Sequence, residues 1–513
     1  MQRNEEQNGR VQLKCFDRTQ PIEVTAEIAL PDYRSEISRL LWVRPTFLPP
    51  SRFIGNGKID FSGSVCYRIL YVGPDGALYG ADSEGTYAFS IPREGMEGFD
   101  TGEGLETAVE LIPDAVISRV PGPRKVSVRC RLRTRVQGYA NKNLTPRFQG
   151  EGNEADKVYR LCDAAENGRV QVSEGETVHL EDVVAVESGE GELRLISAYG
   201  NLFLPEVTAT EDAVQCRGEV LVSMLVCREV KGEDAPLPFA VRRRIPFEKV
   251  IPFGGILPDW QVMAMGEIGE ISATVEGDSI TLGVDGILTA QGQCEESVLL
   301  YRDTFLPGHR AECRMAEERL WRCGFCGNRH FSVGGERPYA EVSIPADATV
   351  IDAVGDAEIK ERQSENGRTV LVGELRCHVL YSHLGEYATG DFLIPFRGIL
   401  DETCSDAGLC CSVISCRVST SSEGVRADAE IGLAVRALTE APERLLGEVA
   451  FTPAEPVSRA ALEICYPATD DSLWTVGKRY GVSPDALAAA NGLSPDGYGS
   501  VETLRDVRYL LIP

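Results

Sequence analysis

Five histidines in 513 residues are a thin supply of general bases. Other catalytic signatures are missing as well: no Gly-x-x-x-x-Gly-Lys-Ser/Thr phosphate loop, no His-Glu-x-x-His and no Gly-x-Ser-x-Gly elbow occurs. Nothing here argues for an enzyme. Cations are scarce too, with 52 Lys and Arg against 78 Asp and Glu and a formal net charge of −26. Without clustered Lys and Arg to neutralise phosphates, nucleic-acid binding is disfavoured, and the same sign argues against anionic lipid. No uninterrupted apolar run reaches the ~18 residues of a membrane helix. The opening Met1-Gln-Arg-Asn-Glu-Glu lacks the apolar core of a secretory signal. A cytoplasmic protein is expected, kept in solution by like-charge repulsion.

Cysteine, by contrast, is plentiful. The 16 cysteines sit mostly inside apolar strands such as Ser64-Val-Cys66 and Leu225-Val-Cys227. In a cytosolic chain they are expected to be reduced, small and buried. One group invites another reading: Cys313, Cys323, Cys326 and His330 have donor types suited to tetrahedral zinc, with His309 close by. A lone Cys-x-x-Cys is weak support, so no metal and no cofactor are expected. Arg68, His378 and His383 fall on or just beyond a strand, where a solvated face is the simpler expectation.

That strand belongs to an internal repeat. Gly63-Ser-Val-Cys-Tyr-Arg-Ile-Leu-Tyr71, Gly218-Glu-Val-Leu-Val-Ser-Met-Leu-Val226 and Gly373-Glu-Leu-Arg-Cys-His-Val-Leu-Tyr381 align position for position, each 155 residues after the last. Every second residue is apolar, which predicts a strand with one buried face. An Ile-Pro element follows in each copy (Ile91-Pro92, Ile245-Pro246, Ile394-Pro395), and alternating segments at 126–136, 280–290 and 425–435 close it. Helical periods are scarce. The fold class expected is mainly β, with three repeated antiparallel sandwich- or barrel-like domains at 12–145, 170–305 and 331–447. Polar stretches at 141–166, 308–330 and 452–456 are expected as connectors. A 155-residue period is too long for a solenoid, so separate beads are favoured.

The last segment, 461–513, predicts a small α+β (βααβ) module. Leu462-Glu-Ile-Cys-Tyr466 and Arg508-Tyr-Leu-Leu-Ile512 form its strands. Asp471 or Ser472 caps a first helix that Gly481 ends, and Ser483-Pro484-Asp485 starts a second that Asn491-Gly492 ends. Trp474, Tyr480 and Leu487 are the expected core, so Trp474→Ala should unfold the module.

Asp471-Ser-Leu-Trp474, Tyr480-Gly-Val-Ser483, Ala490-Asn-Gly-Leu493 and Leu510-Leu-Ile-Pro513 occur in the order of a LysM domain, which this segment resembles. The resemblance implies a shallow groove for N-acetylglucosamine polymers such as peptidoglycan. Asp470, Asp471, Ser472 and Leu473 would line one side, and Asn491, Leu493 and Ser494 the other. Where that family usually carries Pro-Gly-Asp, this chain has Ala468-Thr-Asp-Asp471, without the glycine that allows close backbone approach. The β units in turn resemble the SPOCS domain, through the Gly-x-Val strand, the later Ile-Pro-Phe and Leu30-Pro-Asp-Tyr33. Three SPOCS copies followed by one LysM resemble the SipL-like spore-coat morphogenetic family. That resemblance implies a non-enzymatic scaffold in the mother-cell cytoplasm at the forespore surface. Its LysM domain would dock onto the coat-basement morphogenetic ATPase, and its β units would engage other coat proteins.

Overall fold

The computed structural model describes residues 9–513 apart from 56, 103, 150–157, 230–236, 401–405, 455–462, 495–498 and 501–503. It is mainly β, built from antiparallel sheets with a small α/β region at the C-terminal end. The first unit holds β1 (Arg10–Ala29), β2 (Arg39–Phe47), β3 (Ser51–Ile54), β4 (Lys58–Val72), β5 (Leu78–Pro92), β6 (Phe99–Asp100), β7 (Glu106–Gly122) and β8 (Lys125–Asn143). The short β9 (Arg147–Gln149) follows. The second unit holds β10 (Tyr159–Val172), β11 (Glu176–Ala185), β12 (Glu192–Thr210), β13 (Ala213–Glu229), β14 (Phe239–Pro252), β15 (Gln261–Glu276) and β16 (Ser279–Phe305). The third holds β17 (His309–Pro338), β18 (Thr349–Glu365), β19 (Arg368–His383), β20 (Glu386–Leu400), β21 (Asp406–Thr420) and β22 (Gly424–Pro453).

Each unit is a two-sheet sandwich. The repeated strand is central in one sheet: β4 lies among β2, β3 and β5, β13 between β12 and β14, and β19 between β18 and β20. The alternating segment is central in the other, as β8, β16 and β22. Along β8 the side chains of Val126, Val128, Cys130, Leu132 and Thr134 all point into the core, while Arg129 and Arg131 face water. Alternation of this kind is what pins a strand's register, since a one-residue slip would turn every apolar group outward.

The units are not separate beads. Leu70, Leu225 and Leu380, the same position in each copy of the repeat, meet in one apolar cluster. Gln137, Gln291 and Arg436 are likewise equivalent, each facing the matching strand at Ala108, Met263 and Gly408. They also converge: Arg436 donates from Nε to Gln291 Oε1 and from Nη2 to Gln137 Oε1, both at 2.9 Å. Its guanidinium lies 4.7 Å from the centre of the Tyr139 ring. Neighbouring inner sheets touch in cyclic order, β5 with β12, β14 with β18 and β20 with β2. Three similar sandwiches thus close into a ring around a pseudo-threefold axis.

Ring closure changes the repeated strand. One buried face was expected, yet every residue of β4 from Val65 to Val72 is buried. The second face is covered by neighbouring units. Arg68, expected in water, is buried and donates to the Gly269 carbonyl of the second unit at 2.6 Å. His378 is half-buried between Asp391 (2.8 Å) and Asp356 (3.0 Å), and Asp356 also pairs with Arg44 of the first unit at 2.7 Å. His383, by contrast, keeps partial exposure beside Asp347.

The expected connector at 308–330 is the first part of β17, paired along its length with β22. Cys313, Cys323, Cys326 and His330 are therefore strung along one strand. Ten residues from Cys313 to Cys323 span about 33 Å of extended chain, too far for one metal ion. Among the described residues no three His, Cys, Asp or Glu side chains are grouped as a metal site. Cys323 donates to the Cys294 carbonyl, and burial pushes its thiol and that of Cys326 up to about 12. His330 is exposed, edge-on to Phe203.

Candidate functional site

Beyond the ring lie β23 (Glu463–Cys465), α1 (Leu473–Tyr480), α2 (Pro484–Asn491) and β24 (Leu510–Ile512), with β23 and β24 antiparallel. Two eight-residue helices are too short to stand alone in water, so packing on the sheet must hold them. Leu473, Val476, Leu487, Ala488 and Leu510 form that core with Cys465 and Ile512. Ser472 caps α1 reciprocally: its Oγ accepts from the Thr475 amide (3.2 Å), and its own amide donates to Thr475 Oγ1 (2.8 Å). Gly481 ends α1 in the left-handed region at φ 62°, where a Cβ would be strained. Ser483 then caps α2 with Pro484 in its first turn, and Gly492 closes it at φ 63°.

The seven side chains expected in the groove divide sharply. Asp471 is buried; it accepts from the Ala468 amide at 2.9 Å and forms a two-point ion pair with Arg479. Those hydrogen bonds, Arg479 foremost, hold its carboxyl below the usual range against the opposing effect of burial. Ser472 is occupied as the cap, and Leu473 is fully buried in the core. Asn491 fastens α2 to β24, donating to the carbonyls of Leu487 and Leu511 (2.8 Å each) and accepting from the Leu511 amide (2.7 Å). Leu493 packs partly on the core. Only Asp470 and Ser494 present exposed side chains, one on each loop. Of the seven, Asp470 is thus the carboxylate left facing outward.

Trp474 departs from expectation. It is buried, yet it stands outside the module's own core cluster. Its indole points at the second β unit, where Nε1 donates to Asp303 Oδ2 at 2.9 Å and the ring meets Phe305 edge-on at 5.1 Å. Lys478, one turn on, bonds both oxygens of the same carboxylate at 2.6 and 2.7 Å. Phe305 is backed by Tyr159, and a Cβ at Gly499 would lie 3.3 Å from Leu161, directly across from Asp303 in the β10–β16 pair. Helix α1 and Gly499 thus meet one patch of the ring. Nothing in the sequence pairs Asp303 with Trp474 across 171 residues. The module's outer sheet face also carries Ile464, Tyr466 and Tyr509, all exposed, as their every-second-residue spacing could have told.

Capped helices, a left-handed glycine after each and a two-stranded sheet make a compact βααβ module. Its family follows from comparison with known proteins: residues 468–497 match the LysM domain. No curated protein and no solved structure matches the chain.

Proposed function

We propose that this chain is a non-enzymatic scaffold of the spore coat, working in the mother-cell cytoplasm at the forespore surface. In this reading the LysM groove captures a polypeptide, the coat-basement morphogenetic ATPase, and the three β units meet other coat proteins. The order of three SPOCS-like repeats and one LysM domain supports it. One observation carries it: Asp471, Ser472, Leu473 and Asn491 are committed to the module's own fold, leaving Asp470 exposed where the family usually has an approach glycine. A protein surface can pair with such a lone carboxylate more readily than a neutral sugar can.

The test is capture of the purified ATPase by the full-length chain. Asp470→Lys combined with Ser494→Arg should lower affinity at least tenfold with the melting temperature unchanged. Equal capture by the double variant sinks the polypeptide reading. A second reading, binding of peptidoglycan or other N-acetylglucosamine polymers, is favoured by the LysM match itself. Saturable heat with chitin pentamer at millimolar affinity or better, in calorimetry of the full-length chain, would establish it instead.

A further inference from the structure

A cleft of about 310 Å³ opens between the second and third units. Leu237, Phe239 and Arg242 wall it on one side, and Val350, Asp352 and Arg417 on the other. Its two ends differ in character. At the mouth, Leu237 and Phe239 are 55% and 39% exposed, large apolar groups left in contact with water. Toward the back, Asp352 is buried and accepts from Arg242 Nη2 and from the Tyr199 hydroxyl, each at 3.1 Å. The charge of Arg242 is thereby matched and its guanidinium held in place. Arg417 is exposed, and its guanidinium makes no hydrogen bond or ion pair among the described residues.

We propose that this cleft binds a small carboxylate carrying an apolar body. The guanidinium fork of Arg417 matches a carboxylate in two-point geometry, and Leu237 and Phe239 cover an aliphatic or aromatic group next to it. A cation is the wrong guest, because Asp352, the only carboxylate among the described residues of the wall, is engaged by Arg242 and Tyr199. The volume lies at the small end of ligand cavities, which selects a fragment-sized molecule over a long chain. The site is independent of the LysM groove, and it lies where two units meet, so its occupant would touch both.

The probe is 3-phenylpropionate titrated into the full-length chain and followed by ligand-observed NMR, with 3-phenylpropanamide and acetate as comparators. The expected result is saturable binding of phenylpropionate near or below about 10 mM, as suits so few atoms. The amide, which keeps the shape without the charge, and acetate, which keeps the charge without the body, should each bind at least tenfold more weakly. Arg417→Ala should cost about tenfold and Arg417→Lys less, since a point charge cannot reproduce the fork. Leu237→Ser should also weaken binding. Both residues are exposed, so the melting temperature should not move. Equal affinity for acid and amide, unchanged binding by Arg417→Ala, or no saturation by about 10 mM would each overturn the proposal.

Discussion

Asp303 fastens the LysM module to the ring, and its removal is the sharpest test of the architecture. The Trp474 indole donates to an ionised acceptor, a bond of about 1.5 to 3 kcal/mol. Lys478 adds a partly exposed pair, about 0.2 to 1 kcal/mol. Asp303→Ala therefore weakens docking by about 2 kcal/mol or more, a factor of about 30 in the docking equilibrium. The edge-on contact with Phe305 remains and is worth about 1 kcal/mol, too little to hold the module alone. The assay is selective ¹⁵N labelling of tryptophan, which gives four indole signals that single Trp→Phe variants assign. In the native chain the Trp474 indole proton should exchange slowly with water. In Asp303→Ala it should exchange at least tenfold faster while α1 and α2 stay folded, and Asp303→Asn, which keeps an oxygen acceptor for the indole, should exchange more slowly than Asp303→Ala. Trp474→Ala should release the module without unfolding it, because the core formed by Leu473, Val476, Leu487 and Leu510 closes without the indole. Loss of helix protection in Trp474→Ala, or unchanged indole exchange in Asp303→Ala, would refute the reasoning.

Leu473→Ala should instead unfold the module, costing about 2 to 5 kcal/mol for a fully buried leucine, whereas Asp470→Lys leaves it folded; amide exchange of α1 separates the two. His378 predicts a pH dependence. Burial lowers its affinity for a proton, but hydrogen bonds to Asp356 and Asp391 outweigh it and raise the pKa from 6.5 to about 9. A raised histidine contributes stability fully below pH 6.5 and loses it as pH climbs through about 9, so urea midpoints should fall over that window by the equivalent of about 3 kcal/mol. His378→Gln should flatten that slope. Arg436→Ala should cost about 3 kcal/mol by stranding two glutamine carbonyls on the axis, and Arg436→Lys should recover little of it, readable as a drop in melting temperature.

Local structure was legible in the residues. Alternation at Val126, Val128 and Cys130 gave the strands, and Ser472, Gly481, Ser483 and Gly492 gave both helices with their ends, because capping and period-two burial are decided within a few residues. Inter-unit structure was not. Leu70-Tyr-Val72 and Leu225-Val-Cys227 are unbroken apolar runs, the mark of a strand covered on both faces, but one-sided periodicity over the preceding residues masked it. The candidate groove was legible as a place and not as a set of contacts. A LysM pattern locates the two loops, yet whether Asp471 faces a ligand or Arg479 depends on one side-chain torsion that no pattern encodes. Trp474 shows the limit most plainly, since an aromatic residue in a short helix looks the same whether it fills its own domain or grips another.

The axial trio has a consequence for how such a body could be made. Three identical subunits on a true threefold would bring three copies of one residue to the centre. Three guanidinium groups there would repel, and three glutamine amides would lack the central cation that Arg436 supplies. Joining the copies in one polypeptide frees each to differ, so a single arginine can sit between two amides. The price is that no copy is replaceable by another: grafting the third unit's sequence into the first position should stop the ring from closing.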